Sequence, residues 1–222
     1  MVPHVKRLSV AAILLIAGCG NGVETSTTTS FVTTTATSVT APILPGNEIA
    51  SVFNAGDVVG VIGVAEGDNL LLLSFPGDTG ETILEVDSLE TAVETLGVAW
   101  EIGSIPWELV LLGGREGYLP RANLAFVARS EEITAQFAGS TSDSPLELGE
   151  EIASEIEASR VVLVGRPDDL ELIYDVLGFG DDSLAGYRVR VVLVESEQGF
   201  AATLVERSPL CARGLTEDSI CL

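Results

Sequence analysis

The 222-residue sequence is short of the side chains on which most catalysis depends. It has one histidine, His4, and one lysine, Lys6, both within its first six residues. Beyond them no imidazole remains for a Ser-His-Asp or Cys-His nucleophile system, nor for a histidine-bound zinc. No lysine remains for a Schiff base, a Ser-Lys pair or a G-x-x-x-x-G-K-[ST] phosphate loop. Cysteine is limited to Cys19, Cys211 and Cys221, and aromatic residues make up only 5% of the chain. Positive charge is scarce: 11 Lys and Arg stand against 33 Asp and Glu, for a formal net charge of −22. Nucleic acid is therefore excluded as a partner, because its binding rests on basic side chains meeting phosphate. Anionic membrane and wall polymers repel such a chain as well, so neutral or basic partners are favoured. Asp181-Asp182, between Gly180 and Ser183, lacks the D-x-[DN]-x-[DN]-G calcium pattern and reads as a tight turn, so no metal or cofactor is expected. Carboxylates are abundant, which leaves a two-carboxylate glycoside hydrolase as the one enzyme class still open. Its candidate pairs, Glu94 with Glu101 and Asp168-Asp169 with Asp181-Asp182, lie in turn-like or polar settings where acids are solvated caps. A non-enzymatic chain is the expectation.

What is present begins with an export signal. Lys6 and Arg7 precede an apolar run, Leu8 to Gly18. At roughly 11 residues that run is too short for the roughly 20 that span a bilayer. It ends in Ile16-Ala17-Gly18-Cys19, which resembles the lipobox of bacterial lipoproteins. The resemblance implies that residues 1–18 are removed and that Cys19 carries a diacylglycerol. Two or more acyl chains, palmitate among them, would hold the mature chain stably at the outer face of the cell membrane. Cleavage also removes His4 and Lys6. Residues 19–46, with VETSTTTSFVTTTATSVTAPILPG at their heart, are too poor in apolar side chains to bury a core and read as a disordered tether. As a flexible coil it reaches roughly 30 Å. Outside the cytoplasm Cys211 and Cys221 are expected to pair. Closing so short a loop contributes about 3 kcal/mol in the chain-entropy model.

Two folded segments follow. Residues 47–130 carry short apolar or alternating runs (DVVGVIGVA, LLLLSFPG, ETILEVD, TAVETLGVA and WELVLLG), separated by Glu66-Gly67-Asp68, Pro76-Gly77-Asp78 and Gly113-Gly114. That punctuation predicts a small all-β barrel or sandwich. Residues 131–144 read as a linker. In residues 145–222, Ser144 as cap, Pro145 in first position and Glu147 as capping-box partner predict a helix. Leu148, Ile152 and Ile156 would form its apolar face. RVVLVG, ELIYDVLG, YRVRVVLVE and GFAATLVER then predict antiparallel strands, the last two joined at Glu197-Gln198-Gly199. Alternation of Arg188 and Arg190 with Val189 and Val191 predicts one wet face. The fold class is thus mainly β: a small barrel followed by an α+β domain of one helix and antiparallel strands, closed by a C-terminal disulfide.

From Asp57 to Val127 the order of motifs resembles a bacterial SH3-like domain. Val59-Gly60-Val61 opens a strand, Asp68-Asn69-Leu70 leads into Leu72-Leu73-Ser74-Phe75-Pro76-Gly77, and Trp107-Glu108-Leu109-Val110 precedes Gly117-Tyr118-Leu119. Leu71, Leu73, Phe75 and Tyr118 depart from the residues usual there. The segments GFGDDSLAGYR and CARGLTEDSIC also resemble the tails of actinobacterial lipoproteins that carry such a domain. The resemblance implies a binding module for a cell-wall peptide or an exported protein. Phe75, Trp100, Trp107 and Tyr118 are the candidate ligand-binding residues, since Trp and Tyr favour contact surfaces. Trp107 is expected in the barrel core, and Trp100 and Tyr118 at an exposed groove. The expected whole is a monomeric, lipid-anchored envelope binding protein. A structural or regulatory partner that docks through its C-terminal sheet is the alternative.

Overall fold

In the computed structural model the described residues are 46–156, 159–179, 183–218 and 220–222. The expected signal, Cys19 and the tether before Gly46 lie outside them, as do Asp181 and Asp182. The chain is mainly β and antiparallel throughout. Eight strands come first: β1 (Asn47–Ile49), β2 (Val58–Val61), β3 (Leu70–Leu73), β4 (Thr82–Val86), β5 (Val93–Ile102), β6 (Ile105–Leu112), β7 (Arg115–Pro120) and β8 (Leu124–Val127). Two short strands, β9 (Glu131–Glu132) and β10 (Thr141–Ser142), precede α1 (Pro145–Ser154), the one α-helix among the described residues. Four long strands complete the sheet: β11 (Arg160–Asp168), β12 (Glu171–Leu177), β13 (Leu184–Ser196) and β14 (Gly199–Cys211). Hydrogen-bonded neighbours run β11-β12-β13-β14-β8-β2-β5-β6-β7-β3-β4.

Local chemistry accounts for α1. Ser144 is its N-cap and its hydroxyl accepts from the Glu147 amide, while Pro145 takes the first helical position, where its missing N–H is no loss. Leu148 and Ile152 are fully buried, and Ile156 packs beside them just past the helix end. The last hairpin turns at Gly199, whose φ of 98° falls in the left-handed region open to glycine. Five strands escaped the sequence: β1, β9 and β10, of two or three residues each, and the longer β7 and β8. REGYLP and LAFV have the charge, glycine and proline of loops or too few residues for a pattern, yet register with β6 and with β2 and β14 makes them β7 and β8.

Apolar side chains collect in two main cores. One holds Phe53, Val59, Leu72, Val110, Leu119 and Phe126 inside the first eight strands, and Cys211, Leu215 and Cys221 of the C-terminal tail pack against it. The disulfide Cys211–Cys221, with Cα atoms 5.1 Å apart, thus pins the tail to the barrel. The second core lies between α1 and β12–β14, around Leu148, Ile152, Leu172, Val189 and Val205. Residues 131–144, read from the sequence as a linker, contribute Ile133 and Phe137 to it, each 4% exposed.

The first eight strands and the four long ones are interlocked at three places. Strand β14 pairs with β8 through Leu210↔Val127 and Cys211↔Phe126. At the other end of the path, two adjacent β11 carbonyls are taken by the first eight strands' loops: Leu163 O accepts from the Glu66 amide (2.8 Å) and Val164 O from Ser88 Oγ (2.5 Å). Between these, Asp175 and Arg188 stand opposite each other on β12 and β13. Here the expected wet face of β13 is covered. Asp175 is fully buried, and its carboxylate accepts from Arg188 Nε (2.8 Å), Arg188 Nη2 (3.0 Å) and the Gly63 amide (2.8 Å). Arg188 Nη2 also donates to Val61 O (2.8 Å). Gly63, at φ 68°, sits in the left-handed region that strains any other residue, and a Cβ there would lie 2.9 Å from Leu177 Cδ1 and push that side chain aside. Arg190 matches the sequence expectation better: it is 39% exposed and bridges Glu171 and Glu206.

Candidate binding site

Alternation along β6 sorts its side chains onto two faces. Val110 and Leu112 point into the barrel core, and Glu108 shares their side. Trp107 and Leu109 take the opposite face. Pairing brings the sequence-nominated aromatics together there: Trp100 lies opposite Trp107, and Tyr118 opposite both Leu109 and Leu73. The result is a separate cluster of Leu73, Trp107 and Tyr118, with Trp100, Ile102 and Leu109 packed against it. Trp107 therefore belongs to this outer cluster and not to the barrel's main core. Tyr118 is not an exposed groove residue, being as buried as Trp107 at 7% exposure. Trp100 is half-buried and matches the expected position better. Phe75 is half-buried in the β3–β4 loop, outside the cluster.

Two polar features distinguish this face. The Trp107 indole Nε1 is buried and has no acceptor among the described residues. A buried donor left unpaired costs about 1–3 kcal/mol. The Tyr118 hydroxyl is pushed up from its ordinary ionisation range, first by burial and then by the charge of Glu48 on β1. It stays protonated at neutral pH and can still donate a hydrogen bond.

Directly behind Trp107, on the core side, Glu108 is wholly buried. Its Oε1 accepts from Arg121 Nε at 2.6 Å and its Oε2 from Ser51 Oγ at 2.7 Å. Arg121 Nη2 reaches Ala50 O at 2.9 Å. This network fastens the chain entering the barrel to β6 and to the turn before β8. The sequence-nominated residues contained no hint of it, although a glutamate placed in phase with Val110 and Leu112 was a visible signal. Among the described residues no group of His, Cys, Asp and Glu is arranged to hold a metal ion. No described helix is long and apolar enough to cross a membrane. Comparison with family models, with curated proteins and with solved structures found no match to this chain.

Proposed function

We propose that this chain is a lipid-anchored protein of the bacterial cell envelope that binds an uncharged or basic peptide without catalysing a reaction. The peptide would come from the wall or from an exported protein. The outer aromatic cluster carries the reading: Trp100, Trp107 and Tyr118 converge on one face, and Trp100 is its half-buried, partly accessible ring. An extended peptide can lay apolar side chains against the half-buried Trp100 ring of this cluster, while the net charge of −22 favours a partner without negative charge. The SH3-like reading of residues 57–127 is supported by the neighbouring of its motif pieces. The strand ending at Leu73, the Trp107–Val110 segment and the Gly117–Leu119 segment lie side by side in β3, β6 and β7. Docking through the C-terminal sheet is less favoured, because Glu66 and Ser88 already occupy carbonyls of its outermost strand.

The test is co-sedimentation of the full chain, in detergent, with purified wall sacculi over a salt series. Binding that persists at high salt is expected, and Trp100→Ala should weaken it at least about fivefold, the loss of an aromatic contact worth about 1 kcal/mol or more. Absence of binding at every salt concentration would end the wall-peptide version and leave an exported protein as the partner. The anchor has its own check. Cys19→Ser is expected to move the exported chain from the membrane fraction to the soluble one and to abolish labelling by radioactive palmitate. Persistent labelling would assign the lipid to another residue.

A further inference from the structure

The aromatic face has a charged margin. Residues directly opposite one another in adjacent antiparallel strands share a face, with Cβ atoms about 4.5–5.5 Å apart. Glu48 on β1 stands opposite Trp100 on β5, and Trp100 stands opposite Trp107 on β6. One row across the sheet therefore reads carboxylate, indole, indole. Further along β6, Leu111 lies opposite Glu94 of β5 and Glu116 of β7, so carboxylates border the same face a second time.

Glu48 differs from the acids that hold the fold together. Glu108 and Asp175 are buried and each is paired with an arginine. Glu48 is exposed, and none of the ion pairs formed among the described residues includes it. Strands β1, β5 and β6 carry no arginine or lysine that could neutralise it from beside. After burial, its charge is what pushes the Tyr118 hydroxyl up, so the carboxylate lies toward the aromatic rings and not away from them. The ring face of an indole attracts a cation through its quadrupole, and a carboxylate attracts the same cation through its charge. Here the two stand next to each other.

We propose that Glu48 and Trp100 together bind a cationic side chain, lysine or arginine, of the peptide that the aromatic face takes. The inference rests on the peptide-binding reading of that face and adds the charge of its ligand. A lysine or arginine stem lays its methylenes along the half-buried indole, and its head reaches the position, within about 6 Å of the ring centroid, where a cation is held. Glu48 meets that head from the neighbouring strand. A neutral side chain gains the apolar contact alone, and an acidic one meets the charge of Glu48. A bare metal ion is not the occupant, because among the described residues no group of His, Cys, Asp and Glu is arranged to hold one. Since an exposed charge pair adds little to affinity in water, Glu48 acts mainly on the choice between peptides.

The test is a magnetic-resonance titration of the isotope-labelled full chain in neutral detergent. It follows the indole N–H signal of Trp100, which Trp100→Phe assigns by removing it. The probes are acetyl-Ala-Ala-X-Ala-Ala-amides in which X is lysine, arginine, norleucine or glutamate; norleucine keeps the stem without the charge. The lysine and arginine peptides are expected to shift the signal saturably, the norleucine peptide to bind at least about fivefold more weakly, and the glutamate peptide more weakly still. Raising the salt should bring the lysine value toward the norleucine value, leaving the apolar contact that survives screening. Glu48→Gln, at an exposed position, should weaken the lysine and arginine peptides about threefold and leave norleucine unchanged. Equal binding of lysine and norleucine would overturn the cation assignment while the peptide-binding reading stands. A lysine preference that survives Glu48→Gln would move the charge recognition to another carboxylate and overturn the role of Glu48. No shift with any probe at millimolar concentration would remove the peptide-binding reading together with the inference.

Discussion

Replacing Asp175 by alanine is expected to destabilise the folded chain by about 3–5 kcal/mol, the range for removing one partner from a buried ion pair. The magnitude follows from what remains. Arg188 is only 11% exposed, and after the substitution its guanidinium keeps one protein acceptor at this site, Val61 O. The Gly63 amide loses its acceptor as well. A charge and a donor are thus stranded in the seam between the barrel and the C-terminal sheet. Whole-domain stability is typically about 5–15 kcal/mol, so a loss of this size moves the urea midpoint by a large fraction of its value. Asp175→Asn is expected to fall between wild type and alanine, because the amide oxygen can still accept one hydrogen bond but carries no charge. The double variant Asp175→Leu/Arg188→Met should recover most of the loss, since well-packed apolar side chains often replace a buried pair at little cost. Urea unfolding of the four proteins with the disulfide intact measures the coupling. A loss under about 1 kcal/mol for the alanine variant, the range of an exposed ion pair, would mean that water reaches the pair and that the seam is held elsewhere.

That pair also marks the limit of what the sequence disclosed. Elements whose cause is local were legible. Ser144, Pro145 and Glu147 lie within four positions of one another, and together they start a helix whatever the rest of the chain does. Most strands were legible too, because alternation or a short apolar run between turn residues is itself the signal. Asp175 was not, because its role depends on partners 13 and 112 positions away. In ELIYDVLG it reads as the polar member of an alternating strand, and alternation says which face a residue takes without saying what covers that face. The same holds for Arg188, whose expected wet face is roofed by Val61 and Gly63. For the candidate site, the sequence supplied the right residue types. It missed their arrangement: Trp100 meets Trp107 across the two-residue Gly103-Ser104 turn, a local hairpin that was not recognised, whereas Tyr118 meets Leu73 through strand order, which the spacing of motifs does not determine.

Glu108→Ala is the second large effect expected, at about 3 kcal/mol, the lower end of the range for a broken buried pair. The carboxylate is wholly buried, but its partner is not: Arg121 keeps 21% exposure and can recover some hydration when the carboxylate is gone, whereas Arg188 is only half as exposed. The loss also includes a cavity beside Val110 and an unpaired Ser51 hydroxyl. Glu108→Gln keeps the volume and one acceptor oxygen, so it should cost less, about 1–2 kcal/mol. Binding to wall sacculi should be unchanged in Glu108→Gln, because Trp107 and Tyr118 sit on the other face of β6 and β7 and are held by their own cluster. If sacculus binding falls in a Glu108→Gln protein that still unfolds cooperatively, the two faces of β6 are mechanically coupled and the barrel answers ligands as one unit. If it does not fall, Glu108 acts on stability alone.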